Sequence, residues 1–165
     1  MKLTASLLTL ALAAALTGGA QAASASSTDA TFVQTAQQDL LGQYALAALA
    51  QKKAQDTGLK STATEIATAT GKANDFIKSY ASTHNVTISN KPTIRTDAQY
   101  GEIVSLSGKA FDQKYAQVLN TDVQLELSDF QDEAQNGTDP ALKAFAKQQA
   151  ALLQQAASAA QKAGR

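Results

Sequence analysis

The chain has no cysteine, no tryptophan and a single histidine, His84, among its 165 residues. Without cysteine no disulfide or thiolate site can form, and one imidazole excludes the histidine clusters of most zinc and transition-metal centres. A Ser-His-Asp triad would have to use His84, and no Gly-x-Ser-x-Gly turn, phosphate-binding loop or dinucleotide fingerprint is present. We therefore predict that the chain is not an enzyme and holds no cofactor.

Charge of either sign is also scarce. The 14 Lys and Arg residues balance 14 Asp and Glu residues. Lys2 is the only charged residue before position 23, which leaves 13 basic against 14 acidic residues in the rest of the chain. This balance argues against a nucleic acid or an anionic membrane as the main partner. The expected partners are an unknown envelope protein or another copy of the chain.

The first 22 residues have the pattern of a secretory signal peptide. Lys2 precedes an apolar run at residues 7–16, and the small residues Ala20 and Ala22 flank Gln21 in an Ala-x-Ala cleavage site. The run is much shorter than the ~20 residues that cross a bilayer, so a retained anchor is the weaker alternative. The pattern predicts cleavage after Ala22, with Ala25 as the alternative site. The expected location is periplasmic or secreted, with no stable membrane insertion after cleavage.

Residues 29–165 are expected to form one all-α domain after a flexible leader at residues 23–28. Apolar residues recur at helical spacing, and Asp29 is the expected first N-cap. Breaks fall at residues 56–58 and 136–140, where Gly58, Gly137 and Pro140 end or restart helices. Residues 83–97 form the one long connection, and a short helical segment follows from Ala98. The prediction is an up-down four-helix bundle with a longer crossover between helices 2 and 3.

Three blocks resemble a family of exported bacterial helical proteins. The first helix, the start of the third and the start of the last carry the matching residues, which are Phe32, Ala36, Gly42, Leu49, Ala50, Leu106, Ser107, Gly108, Phe111, Asp112, Tyr115, Asp139, Pro140, Leu142, Lys143, Phe145 and Ala146. The sequence resembles the domain of unknown function 4142 (DUF4142) family over residues 32–163. This resemblance implies a ferritin-like bundle and an exported location, and it supplies no reaction.

The resemblance also implies polar ligands at six inward positions, most of which this chain has lost. It implies a glutamate at Gln43, Asp-His pairs at 69–70 and 122–123, and a histidine at 156. The residues present are Gln43, Ala69, Thr70, Asp122, Val123 and Ala156. A ferritin-like di-metal centre needs about four carboxylates and two histidines with Glu-x-x-His spacing, and that spacing is absent here. We therefore predict no metal site in this divergent member.

The remaining acidic residues suggest a solvated surface. Asp122, Glu126 and Asp129 lie at i, i+4 and i+7, on one face of a helix. A calcium or magnesium site would need six or more oxygens from converging elements. Alternatively, Asp122 alone is buried and bonded to Gln43 or Tyr115. His84 is expected in a surface loop.

Three functions remain open at this point. The favoured one is an exported, non-catalytic helical-bundle protein that acts through its surface in the cell envelope or in stress tolerance. The alternative is a ferritin-like metal-binding or redox protein. A weaker alternative is a carrier of a small apolar ligand, because an alanine-lined bundle can leave a cavity between its helices.

Overall fold

The computed structural model describes residues 24–163, which form five α-helices and no strand. The helices are α1 (Ser27–Lys53), α2 (Thr57–Thr83), α3 (Ile94–Val104), α4 (Gly108–Asn136) and α5 (Pro140–Ala163). The predicted signal peptide at residues 1–22 lies outside the described part. No helix in residues 24–163 is both long enough and apolar enough to span a membrane. The prediction of an all-α chain is confirmed.

Side-chain caps set the helix starts. Ser26, rather than the expected Asp29, caps α1, and its hydroxyl accepts a bond from the Asp29 backbone N–H at 3.1 Å. The Asp56 carboxylate accepts from the Leu59 N–H at 2.8 Å and begins α2. At α5, the Asp139 carboxylate accepts from two backbone N–H groups in the first turn. Each such cap contributes ~1 kcal/mol to helix stability.

The four long helices pack side by side, each against two others. Turns at residues 54–56 and 137–139 join α1 to α2 and α4 to α5, and the two hairpins meet where α2 contacts α5 and α1 contacts α4. Aromatic rings fill part of the core: Phe32 meets Phe130 edge-on at 5.2 Å, and Phe76 stacks on Phe145 at 4.5 Å between ring centroids. The core is thus shared by all four long helices.

The structure has one helix more than the four predicted. Residues 94–97, assigned to the long connection, are the first turn of α3, because the Thr93 hydroxyl accepts the Thr96 N–H at 3.1 Å and caps the helix. The short segment expected from Ala98 is the remainder of α3. This helix packs against α1 and α4.

Gly42 allows α3 to approach α1 closely. A Cβ at Gly42 would lie 2.6 Å from the Thr96 side chain, which is closer than atoms of real side chains approach. Thr96 is buried, and its hydroxyl lies 2.9 Å from that of Thr93. Because Gly42 has no side chain, α3 can dock closely on α1 at this position.

The Leu-Ser-Gly-x-x-Phe-Asp block at the start of α4 has a structural role. Gly108 has φ +59°, a backbone conformation that favours glycine. Phe111 is fully buried in the core, and the Asp112 carboxylate accepts the backbone N–H groups of Gln55 and Asp56 at 3.1 and 2.8 Å. The block anchors the turn between α1 and α2 to α4.

Candidate functional site

Five of the six inward positions meet at one cavity in the middle of the bundle. The cavity has a volume of about 80 Å³ and lies between the four long helices. Its walls include all of these positions except the aspartate, namely Gln43, Ala69, Thr70, Val123 and Ala156. The hydroxyl of Thr70 is directed to its own helix, where it donates to the Ile66 carbonyl at 2.8 Å. The side chains that these positions present to the cavity are therefore mostly small and apolar.

Asp122 lies outside this cavity, in a buried cluster of three carboxylates. The cluster consists of Asp39 on α1 and Asp122 and Glu126 on α4, which are 5, 5 and 3 % exposed. The prediction of a solvated acidic face is therefore wrong for Asp122 and Glu126, because α1 and α3 cover this side of α4. Of the three acids in that prediction, only Asp129 is exposed.

Arg95 on α3 is the cation of the carboxylate cluster. Its guanidinium lies 3.6 Å from Asp39 Oδ1 and 3.4 Å from Asp122 Oδ1, so one side chain connects three helices. Gln99, one turn further along α3, donates to Asp122 Oδ1 at 2.7 Å. The alternative prediction had Asp122 buried and bonded to Gln43 or Tyr115; Asp122 is buried, but its hydrogen bond comes from Gln99. Three acids share a single positive charge.

Burial raises the pKa values of all three acids, because it penalises their charged forms. The pKa of Asp39 rises from 3.8 to about 6, since burial outweighs the attraction of Arg95. Burial likewise raises the pKa of Asp122, against the opposing effects of the Gln99 bond and Arg95. The pKa of Glu126 is raised well above its usual value by burial and then by the neighbouring Asp39 and Asp122. Burial therefore shifts all three acids of the cluster toward their protonated forms.

Gln43 connects the cavity to the carboxylate cluster. Its side-chain amide donates to Glu126 Oε2, and both residues also line a smaller void of about 10 Å³ beside the main cavity. Tyr115 borders this void, and its hydroxyl is buried without a hydrogen-bond partner among residues 24–163. Burial raises the pKa of Tyr115, which keeps the phenol neutral.

A second buried acid pair lies at the end of the bundle where α1 begins. The Asp29 carboxylate accepts the Thr138 N–H at 2.9 Å and also its hydroxyl. Although burial opposes it, these bonds and that of Ser26 lower the pKa of Asp29. Burial and the nearby Asp29 raise the pKa of Glu133 to about 7. The pair fastens the α4–α5 turn to the start of α1.

His84 ends α2 and is partly buried. Its ring stacks on Tyr80 with centroids 3.9 Å apart, and its Nδ1 lies 3.0 Å from the Tyr80 carbonyl oxygen. The expected surface-loop histidine therefore has a packing role at the end of α2. His84 lies at the same end of the bundle as Asp29 and Glu133. Burial and then the nearby Asp139 and Asp29 raise the pKa of Tyr80, on which His84 stacks.

The residues at the bundle centre do not fit a metal ion. Alanine and valine at positions 69, 123 and 156 have no ligand atoms, and the guanidinium of Arg95 already lies between Asp39 and Asp122. In the part of the chain that the structure describes, no three His, Asp or Glu side chains are grouped so that they could hold one.

Sequence reasoning missed Asp39 and Arg95. Asp39 lies three residues after Ala36 and four before Gln43, on the border of the apolar stripe of α1, and this spacing was the available signal. Arg95 gave no such signal, because its role depends on where α3 docks.

Comparisons with known proteins agree with this architecture. A family model described as "Domain of unknown function (DUF4142)" matches residues 14–163. Among solved structures, the chain is similar to the crystal structure of a DUF305 fragment from Deinococcus radiodurans, with a TM-score of 0.75. The two are 12 % identical, over 84 % of this chain and 96 % of that one, which shows a shared fold alone. No curated protein matches the chain.

Proposed function

The chain belongs to the DUF4142 family, a domain of unknown function, and on this premise we propose that it is an exported, non-catalytic helical protein. In this proposal it acts through its surface in the cell envelope or in stress tolerance, with an envelope protein or a second copy of itself as partner. The α1, α2, α4 and α5 helices form a ferritin-like up-down bundle, with the connection that contains α3 as its long crossover.

The observation that carries the non-catalytic proposal is how the buried charges are used. Arg95 bonds to Asp39 and Asp122, Gln43 to Glu126, and Asp29 to Thr138, so the buried polar groups tie helices to one another. Polar groups connected in this way contribute to a specific helix arrangement, which is the structural role that we propose for them.

Export is supported by the sequence before the described residues. Lys2, the apolar run at residues 7–16 and the Ala-x-Ala site ending at Ala22 together match a signal peptide. The structure adds that α1 begins at Ser27, close behind the expected cleavage site.

Fractionation of cells that express the full chain tests export. We expect a periplasmic product whose intact mass corresponds to a chain beginning at residue 23, or at residue 26 for the alternative site. Leu10→Arg interrupts the apolar run and should leave uncleaved precursor in the cytoplasm. Ser6→Arg adds the same charge before the run and should be exported normally. Uncleaved wild-type chain in the cytoplasm would contradict the proposal.

Metal analysis separates this proposal from the metal-binding or redox alternative. The aerobically purified protein should contain iron, manganese and zinc far below one equivalent per chain. A stoichiometric metal would overturn the non-catalytic proposal. In that case, loss of the metal in Glu126→Gln would show that the metal binds at the carboxylate cluster. Retention of the metal would show that it binds at another site.

A further inference from the structure

The central cavity differs from an ordinary packing defect because it is reached from one side of the bundle. Half of its wall residues are buried, whereas Glu65 on α2 and Gln155 on α5 are exposed. The half-buried Ile66 and Leu152 belong to the same two helices. The cavity therefore has its mouth at the seam between α2 and α5.

The inner wall of the cavity is apolar. Leu40, Leu119, Val123 and Phe130 are all buried and form the side farthest from the mouth. These four side chains offer no hydrogen-bond partner to water, which needs two to four, so this side of the cavity favours an apolar occupant. Small side chains, above all Ala156, leave the space unfilled.

The mouth of the cavity is polar and carries one charge. Glu65 supplies a carboxylate, and Gln149 and Gln155 supply amides. Among residues 24–163, no cationic side chain lines the cavity. A hydroxyl or an ammonium group can donate to these oxygens, whereas an anion would meet the negative charge of Glu65.

We propose that this cavity binds the aliphatic end of a small amphiphile whose head group, an alcohol or an amine, donates hydrogen bonds at the α2–α5 seam. The volume of about 80 Å³ is roughly half of the ~150 Å³ that accommodates benzene, so about three or four carbon atoms enter the bundle. The remainder of a longer ligand extends along the seam. The site is independent of export and of metal content.

Three probes with the same butyl chain test the head group: butan-1-ol, butan-1-amine and pentanoate. Each is titrated into the purified protein while backbone and methyl NMR signals are recorded. The alcohol and the amine should give saturable shifts at Val123 and Ala156, with pentanoate at least about tenfold weaker. Equal binding of pentanoate would overturn the head-group assignment, and no saturable shift with any probe would overturn the site.

Two filling variants and a matched control test the location. Ala156→Leu places a larger side chain in the cavity and should reduce probe affinity at least about tenfold, while Ala144→Leu makes the same change at an exposed position of α5 and should leave it unchanged. If Ala156→Leu does not fold, Ala69→Leu at the half-buried mouth supplies the same test. Undiminished affinity in a folded filling variant would refute the proposal.

The charge at the mouth is tested with Glu65→Gln. This variant keeps the side-chain length and removes the negative charge, so affinity for butan-1-amine should fall severalfold while that for butan-1-ol is retained. Equal loss for both probes, or no loss for the amine, would show that Glu65 does not contact the head group. Export and metal analyses are unaffected by any of these outcomes, so failure of this inference is distinguishable from failure of the proposed function.

Discussion

Replacing Asp39 by asparagine should stabilise the protein, and more so at alkaline pH. Asp39 is 5 % exposed, and burial raises its pKa from 3.8 to about 6 despite the nearby Arg95. Each pKa unit corresponds to ~1.36 kcal/mol, so ionised Asp39 costs the folded state about 3 kcal/mol relative to the unfolded chain. Asparagine has nearly the same shape and carries no charge to desolvate.

The direction of the pH dependence follows from the raised pKa. The folded state holds the Asp39 proton more tightly, so its contribution to stability is fully present below pH 3.8 and is lost as the pH rises through about 6. Compared with the wild type, Asp39→Asn should gain about 3 kcal/mol at pH 8 and about 1 kcal/mol at pH 4.5. The difference between the two pH values, about 2 kcal/mol, is the diagnostic quantity.

Urea unfolding followed by circular dichroism at the two pH values measures this difference. Asp75→Asn makes the same substitution at an exposed position on α2 and serves as the control, with little expected change at either pH. If Asp39→Asn instead destabilises the protein at pH 8, the attraction between Asp39 and Arg95 outweighs the cost of burial. That result would refute the reasoning from desolvation.

Three further substitutions test other parts of the structure. Gly42→Ala should lower the free energy of unfolding by ~1–3 kcal/mol, because its Cβ would overlap Thr96. Adding Thr96→Ala to the same chain should restore part of the loss. Equal stability of wild type and Gly42→Ala would contradict this packing. Asp112→Ala should cost ~1–3 kcal/mol in urea unfolding, since two backbone N–H groups of the α1–α2 turn lose their acceptor. Glu133→Gln should weaken the decline of thermal stability between pH 5 and 8. Burial and the nearby Asp29 raise the pKa of Glu133 to about 7, so its ionisation destabilises the folded state over this range. An unchanged pH profile would show that Glu133 ionises freely.

The long helices could be predicted because their signals are local. Apolar residues at helical spacing indicate α1, α2, α4 and α5, and the break at residues 136–140 was placed correctly. The break expected at residues 56–58 lies two residues earlier, at 54–56, because the Asp56 side chain caps α2 and residues 57 and 58 are already helical. The early start of α3 was missed, since a threonine cap at Thr93 is a weak signal in a segment that also contains Pro92 and several β-branched residues.

The candidate site was only partly predictable. The resemblance to relatives identified Gln43, Ala69, Thr70, Val123 and Ala156, and these residues do line one cavity. It did not indicate the size of that cavity, which depends on how closely the two helical hairpins approach at the α2–α5 seam.

The sequence by itself determined the helical class, the turns between the long helices and the scarcity of metal ligands. These are properties of residue spacing and composition, which act over a few neighbouring residues. Only the tertiary structure decided that Asp39, Asp122 and Glu126 are buried around Arg95. Their burial requires α3 to dock on α1 at Gly42, and that contact joins segments about fifty residues apart. Desolvation, and with it the raised pKa values, arises from this long-range packing, of which the spacing of Asp39 along α1 is only a weak local sign.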